Sequence, residues 1–171
     1  MLIQKTPFKE VMDTLTSGVK GAIPAVVLLA LAYSINALSK TMGTANYIIS
    51  VSEGFLSPAL LPAIIFIVAS IMAFATGSSW GTFAICMPIA LPLAFEFSGG
   101  ELTTIVIASF AAVAGGGVFG DHCSPLSDTT VLSSTGSASD HIDHVKTQLP
   151  YSLVCGALAV VAYLIIGFTS A

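Results

Sequence analysis

Residues 57–97 form an apolar run that is too long to cross a membrane as one straight helix. At 1.5 Å per residue, such a helix would measure about 60 Å, roughly twice the hydrocarbon thickness of a bilayer. The stretch TGSSWGT at 76–82 is the one part of this run made mainly of Gly and hydroxyl residues. We therefore predict a break or turn at 76–82, with further weakening of the following helix by Pro88 and Pro92.

Similar apolar segments recur along the whole chain. Only 8% of the residues are charged, whereas soluble domains have about 25%. The predicted segments are 21–41, 57–75, 83–97, 102–119 and 149–169. We expect an all-α integral membrane bundle of about five transmembrane or re-entrant segments with interrupted helices. We predict that residues 1–20 form an amphipathic interfacial segment with a helix start at Thr6-Pro7, and that residues 21–171 form the transmembrane domain.

Charge and cysteine content limit the partners. Five basic residues, all of them Lys, face nine acidic ones, so no basic surface exists for nucleic acid. The three Cys residues are an odd number and predict free thiols rather than a disulfide framework. If 57–75 and 83–97 are separate crossings, the lysine positions place the amino terminus and Lys146 on the cytoplasmic side. We expect a multi-pass protein of the cytoplasmic membrane whose partners are lipid, small ions and other helices.

Scarce polar chemistry is concentrated in GDHCSPLSDTT, residues 120–130. A carboxylate inside a membrane costs about 2.5 to 3.5 kcal/mol, so Asp121 and Asp128 need partners or a water-filled cavity. Pro125 lies between them and cannot continue a helix. Neighbouring hydroxyls come from Ser124, Ser127, Thr129 and Thr130. Together with carbonyls freed at the break, these oxygens form a plausible shell for a hard cation such as Na⁺.

The same carboxylates offer a route for protons. A proton and a cation compete for one carboxylate, so a single site can exchange the two without covalent chemistry. His122 is a candidate helper because histidine titrates near neutral pH. The break at 76–82 adds uncharged oxygens from Thr76, Ser78, Ser79 and Thr82.

Other interpretations remain open from the residues alone. The segment 120–130 also fits a polar loop in which Asp and Ser act as caps and turn formers. His122 and Cys123 could join His141 and His144 in a zinc site, although no CxxC or HExxH spacing is present. The group around 141–146 also fits a solvated loop beside the membrane. A hydrolase is disfavoured because His122 and Ser124 lack a GxSxG elbow.

Three segments resemble the signature segments of the NhaC-type sodium/proton antiporter family, within the wider ion-transporter superfamily. They are ATGSSWGT at 75–82, GDHCSPLSDTTVLSSTGS at 120–137 and DHIDHVKTQLPY at 140–151. The resemblance implies a secondary transporter, not an enzyme, that moves Na⁺ against H⁺ and needs no cofactor. It also implies re-entrant hairpins and interrupted helices whose tips form cation sites. By that similarity the ion pathway includes Ser78, Ser79, Thr82, Asp121, Ser124, Ser127, Asp128 and Thr129.

The resemblance runs from about residue 7 to the end, in the order found in the carboxy-terminal half of that family. We therefore expect one half of an inverted-repeat transporter, with a partner chain supplying the amino-terminal half or a homodimer restoring the symmetry. Two alternatives remain: an inactive or structural membrane fragment, and a sodium-coupled organic acid antiporter of the malate/lactate type.

Overall fold

The computed structural model describes residues 7–43 and 57–170, and these residues form six helices. The helices are α1 (Phe8–Met42), α2 (Leu61–Thr76), α3 (Ser79–Phe97), α4 (Thr104–Cys123), α5 (Asp128–Gly136) and α6 (His141–Ser170). The described ranges contain no strand. The predicted all-α class is confirmed.

Helix α1 is continuous over 35 residues and begins directly after Pro7, whose carbonyl accepts hydrogen bonds from the amides of Glu10 and Val11. The predicted start is thus correct at Pro7, while Thr6 lies outside the described residues. No helix end marks the boundary drawn between residues 20 and 21. The division into an interfacial segment and a transmembrane domain stays a prediction. Helix α1 packs against α3.

The predicted interruption of the 57–97 run is present but shorter than expected. Helix α2 ends at Gly77, which adopts a left-handed conformation with φ of 65° and donates its amide to Ala73. Ser78 is already the N-cap of α3, so Ser79 and Thr82 lie within a helix. Helix α3 continues through Pro88 and Pro92, and the expected weakening by these prolines stays a prediction.

Helices α2 and α3 fold back on each other as a hairpin. The Sγ atom of Cys86 lies 3.6 Å from the Sδ atom of Met72, on opposite sides of the turn. Farther from the turn, Leu61 of α2 and Ala94 of α3 belong to one buried core. The hairpin therefore presents its turn, Gly77 and Ser78, at one end of the bundle.

Helix α4 runs parallel to α2, in very close contact. A Cβ atom at Gly116 would lie 2.5 Å from the carbonyl oxygen of Phe66, and one at Gly120 would overlap the carbonyl oxygen of Ser70. Two glycines four residues apart let the helix backbones touch, which is a common way of packing helices in membranes. This contact aligns the carboxyl ends of α2 and α4.

Helix α6 packs antiparallel against α4. The Phe66 ring lies between them, with ring centroids 5.7 Å from Phe119 and 5.4 Å from Tyr163. Helix α6 begins at His141, eight residues before the predicted span at 149, and α5 lies between the predicted segments 102–119 and 149–169. The beginning of α6 consequently reaches the same end of the bundle as the α2–α3 turn.

Membrane-compatible length is found in three of the described helices. By length and composition, α3, α4 and α6 can each cross a bilayer, while α2 is apolar but has only 16 residues. Most of the α6 surface is exposed, with large apolar side chains such as Leu158 and Ile165 facing outward. These features confirm a membrane helical bundle. The inverted-repeat relationship stays a prediction.

Candidate functional site

The two predicted breaks come together at one end of the bundle. A Cβ atom at Gly77 would lie 2.6 Å from the carbonyl carbon of Leu126 and 2.9 Å from the amide nitrogen of Ser127. The α2–α3 turn therefore touches the segment between α4 and α5, which we call the α4–α5 break and define as residues 124–127. Four helix ends meet there: the carboxyl ends of α2 and α4 and the amino ends of α3 and α5.

Ser124 joins the two parts of this site. It is fully buried, and its hydroxyl donates to the carbonyl oxygen of Phe74 at 2.7 Å. The Ser124 hydroxyl oxygen also accepts a hydrogen bond from the amide of Leu126 at 3.1 Å. Because Phe74 belongs to the last turn of α2, this hydroxyl connects the end of α2 to the α4–α5 break.

Ser127 organises the start of α5. It is fully buried, and its hydroxyl accepts the amide of Thr129 at 3.2 Å and lies 2.7 Å from the Thr129 hydroxyl. This is an N-cap, the usual way to satisfy amides at a helix start. The buried Thr130 hydroxyl contacts the carbonyl oxygen of His122 at 3.4 Å. The capping role expected of Ser is therefore confirmed at Ser127, whereas Asp121 and Asp128 lie within α4 and α5 and not in a loop.

The two carboxylates occupy different electrostatic positions. Asp128 is the first residue of α5 and is exposed, so the positive end of that helix favours its charge. Asp121 is partly buried in the last turn of α4, where the negative end of the helix opposes its charge. Across the described ranges, neither carboxylate has a hydrogen bond or ion pair with another residue. The two carboxylates therefore differ in burial and in the helix end at which they lie.

The hydroxyls of the α2–α3 turn mainly serve local structure. The Ser78 hydroxyl accepts the amide of Gly81 at 3.2 Å, and the buried Thr82 hydroxyl donates to the carbonyl of Ser78 at 3.0 Å. Ser79 is half-buried in the first turn of α3. Nearby Trp80 is largely exposed, and its ring packs edge-on against Phe83. This turn thus contributes polar oxygens but no charge.

Part of the group expected to be a solvated loop instead reaches the site. His141 contacts the Pro125 carbonyl oxygen through Nε2 at 2.8 Å, and Gln148 donates through Nε2 to the His122 carbonyl oxygen at 2.9 Å. Asp143 and Lys146 do match the expectation, as an exposed pair 3.8 Å apart. The spacing of seven residues between His141 and Gln148 puts them on one face of a helix, a signal that was present in the sequence.

The zinc and hydrolase interpretations gain no support from the geometry. In the ranges that the structure describes, no three His, Cys, Asp or Glu residues lie close enough to hold a metal ion. His122 is exposed, while the Ser124 hydroxyl points to the Phe74 carbonyl and not to that imidazole. Cys123 is buried and unpaired with another cysteine.

Comparison with known proteins gives matches along nearly the whole chain. A family model described as the Na⁺/H⁺ antiporter family matches residues 1–168. An uncharacterised protein of Haemophilus influenzae is 42% identical over 152 residues, covering 89% of this chain and 28% of the relative. The malate-2H⁺/Na⁺-lactate antiporter of Bacillus subtilis is 31% identical over 164 residues, covering 94% of this chain and 33% of that protein. The Na⁺/H⁺ antiporter NhaC of Alkalihalophilus pseudofirmus is 26% identical over 164 residues, covering 96% and 34%.

No solved structure matches the chain. The chain spans about a third of the length of the curated relatives it matches.

Proposed function

The chain belongs to the Na⁺/H⁺ antiporter family, and from this premise we propose that it is part of a secondary transporter that exchanges Na⁺ for H⁺ across the cytoplasmic membrane. Members of such a family move ions without covalent chemistry. The observation that carries the proposal is the contact of Gly77 with Leu126, which joins two helix interruptions beside two carboxylates.

Asp121 is the central group in this proposal. It is partly buried, it stands at the negative end of α4, and no side chain in the described ranges neutralises it. In the proposed cycle Asp121 and Asp128 alternate between a bound Na⁺ and a bound proton. Entry of one displaces the other because both neutralise the same negative charge. His122 is the proposed proton carrier between the carboxylates and water, since its side chain is exposed.

Uncharged oxygens complete the proposed cation shell. Hard cations bind several oxygens at once, and interrupted helices supply carbonyls that no helix bond uses. The proposed donors are hydroxyls of Ser124, Ser127, Thr129, Ser78, Ser79 and Thr82. Hydrogen bonds already orient the hydroxyls of Ser124, Ser127, Thr129, Ser78 and Thr82.

We further propose that the working transporter contains more polypeptide than these 171 residues. The relatives are about three times as long as the matched region. A partner chain that resembles their amino-terminal part is the first candidate, and a homodimer is the second. Either would cover the exposed side of the site, where Asp128 and Trp80 face outward.

The test is Na⁺-dependent collapse of a pH gradient in everted membrane vesicles, with the chain expressed alone and with the amino-terminal part of a relative. Asp121→Asn combined with Asp128→Asn should abolish the Na⁺-dependent signal. Glu101→Gln is the matched control, because this exposed carboxylate lies between α3 and α4 at the other end of the bundle. Full exchange in the double variant would refute the assignment of these carboxylates.

A second candidate is sodium-coupled exchange of organic acids, favoured by the 31% identical relative that is named a malate-2H⁺/Na⁺-lactate antiporter. The chain has no Arg, the usual bidentate partner of a carboxylate, but the amino ends of α3 and α5 offer amides instead. Dependence of the signal on added malate or lactate would favour this candidate. Absence of any signal in both preparations would favour an inactive fragment.

A further inference from the structure

Two side chains in the first turns of α6 contact the end of α4 and the α4–α5 break. His141 Nε2 lies 2.8 Å from the carbonyl oxygen of Pro125, and Gln148 Nε2 lies 2.9 Å from that of His122. A carbonyl oxygen only accepts hydrogen bonds, so both nitrogens must carry the hydrogen. The two bonds join residues 16 and 26 positions apart in the sequence.

The His141 ring is held at both nitrogens. Its Nδ1 lies 3.1 Å from the hydroxyl of Ser134, which is almost fully buried in α5. The Ser134 hydroxyl also donates to the Val131 carbonyl oxygen at 2.9 Å. His141 therefore connects the α4–α5 break, α5 and α6 through one side chain.

The backbone of the break supplies only part of its support, since the Ser124 amide donates to the Asp121 carbonyl and the Ser127 amide to the Ser124 carbonyl. The last carbonyls of α4 have no partner within their helix, and Pro125 has no amide hydrogen. Gln148 satisfies the carbonyl of His122, aided by a longer contact from Thr130. Without these donors, the carbonyls on both sides of Ser124 would be free to reorient.

Gln148 also holds an unused acceptor beside the site. Its Oε1 atom is buried and has no hydrogen-bond partner in the part of the chain that the structure describes. Buried acceptors are rarely left unpaired, and the exceptions commonly mark a place for water or an ion. The Gln148 side-chain amide thus holds the His122 carbonyl through Nε2 and keeps its own Oε1 available as an acceptor.

We propose that His141 and Gln148 are positioning residues of the ion site, and that the beginning of α6 sets the geometry of the α4–α5 break. This inference rests on the proposed function for the identity of the ion, but the contacts themselves do not depend on it. It adds a third segment to the two breaks, one that the residues alone assigned to a solvated loop or a zinc site.

The transport test compares His141→Leu and Gln148→Met with two matched variants. His141→Gln retains a donor near the position of Nε2, and Thr147→Val alters a hydroxyl that bonds only to carbonyls of its own turn. Loss of one donor to the break should raise the Na⁺ concentration for half-maximal exchange about tenfold. For His141→Gln this Na⁺ concentration should stay within about threefold of the wild-type value, and for Thr147→Val it should equal the wild-type value.

A second measurement is independent of transport. Hydrogen exchange at amides 124–131 should accelerate in His141→Leu and Gln148→Met, because Leu126, Thr129 and Val131 donate to residues of the break. Thr147→Val should leave these amides protected. If the wild-type protein shows no Na⁺-dependent transport, the proposed function fails. The hydrogen-exchange rates of these amides would still test whether α6 stabilises the break. The inference would be overturned if His141→Leu and Gln148→Met both kept the wild-type Na⁺ concentration for half-maximal transport. It would also be overturned if both kept wild-type hydrogen-exchange rates at these amides.

Discussion

Replacement of Gly77 by alanine should separate the two helix interruptions. Gly77 has a φ of 65°, and an L-residue in this left-handed conformation costs about 1 to 2 kcal/mol. The added methyl would also lie 2.6 Å from both the carbonyl carbon and the carbonyl oxygen of Leu126. These are backbone atoms that cannot rotate away, so overpacking adds about 1 to 3 kcal/mol. We expect Gly77→Ala to lower the free energy of unfolding by about 2 to 5 kcal/mol.

Gly99→Ala is a closely matched control for this substitution. Gly99 also has a φ of 65°, but an added methyl there would meet no atom within 4 Å. Its replacement should therefore cost only the conformational part, about 1 to 2 kcal/mol. The difference between the two variants measures the contact between the α2–α3 turn and the α4–α5 break.

The assay is equilibrium unfolding in detergent micelles, followed by circular dichroism as the fraction of a denaturing detergent rises. Transport by the same two variants should diverge as well, with Gly77→Ala inactive and Gly99→Ala active. Equal destabilisation of both variants would refute the reasoning, because strain at the left-handed conformation alone would then explain the loss.

Two further predictions concern packing and capping in the same part of the bundle. Gly120→Ala should destabilise the protein by about 3 kcal/mol or more, because the methyl would overlap the Ser70 carbonyl. Gly136→Ala should be nearly neutral or stabilising, because an added methyl there meets no atom within 4 Å. Equilibrium unfolding in detergent compares the two variants. Ser127→Ala should cost about 1 kcal/mol through loss of the α5 N-cap, and a thermal unfolding midpoint unchanged from wild type would contradict it.

Much of the fold was predictable from local sequence. Apolar runs marked the helices, and the Gly and Ser residues at 77 and 78 marked the hairpin turn. Pro125 correctly indicated the end of α4. The prolines at 88 and 92 do not end α3, which continues to Phe97, so proline positions alone do not locate every helix end.

The candidate site was predictable as a list of residues but not as an arrangement. Asp121 and Asp128 stand out as costly charges in an apolar chain, whatever the fold. The participation of His141 and Gln148 was missed, since their partners lie 16 and 26 positions away. A helical periodicity in 141–148 indicated a shared face but not what that face contacts.

The sequence by itself determined that this chain is a helical membrane protein with two polar interruptions, because hydropathy and the conformational limits of Gly and Pro act locally. Only the tertiary structure decided that these interruptions touch, that Ser124 bonds to Phe74 and that α6 supports the α4–α5 break. The reason is close packing: α2 and α4 approach through Gly116 and Gly120, and that contact brings their carboxyl ends together.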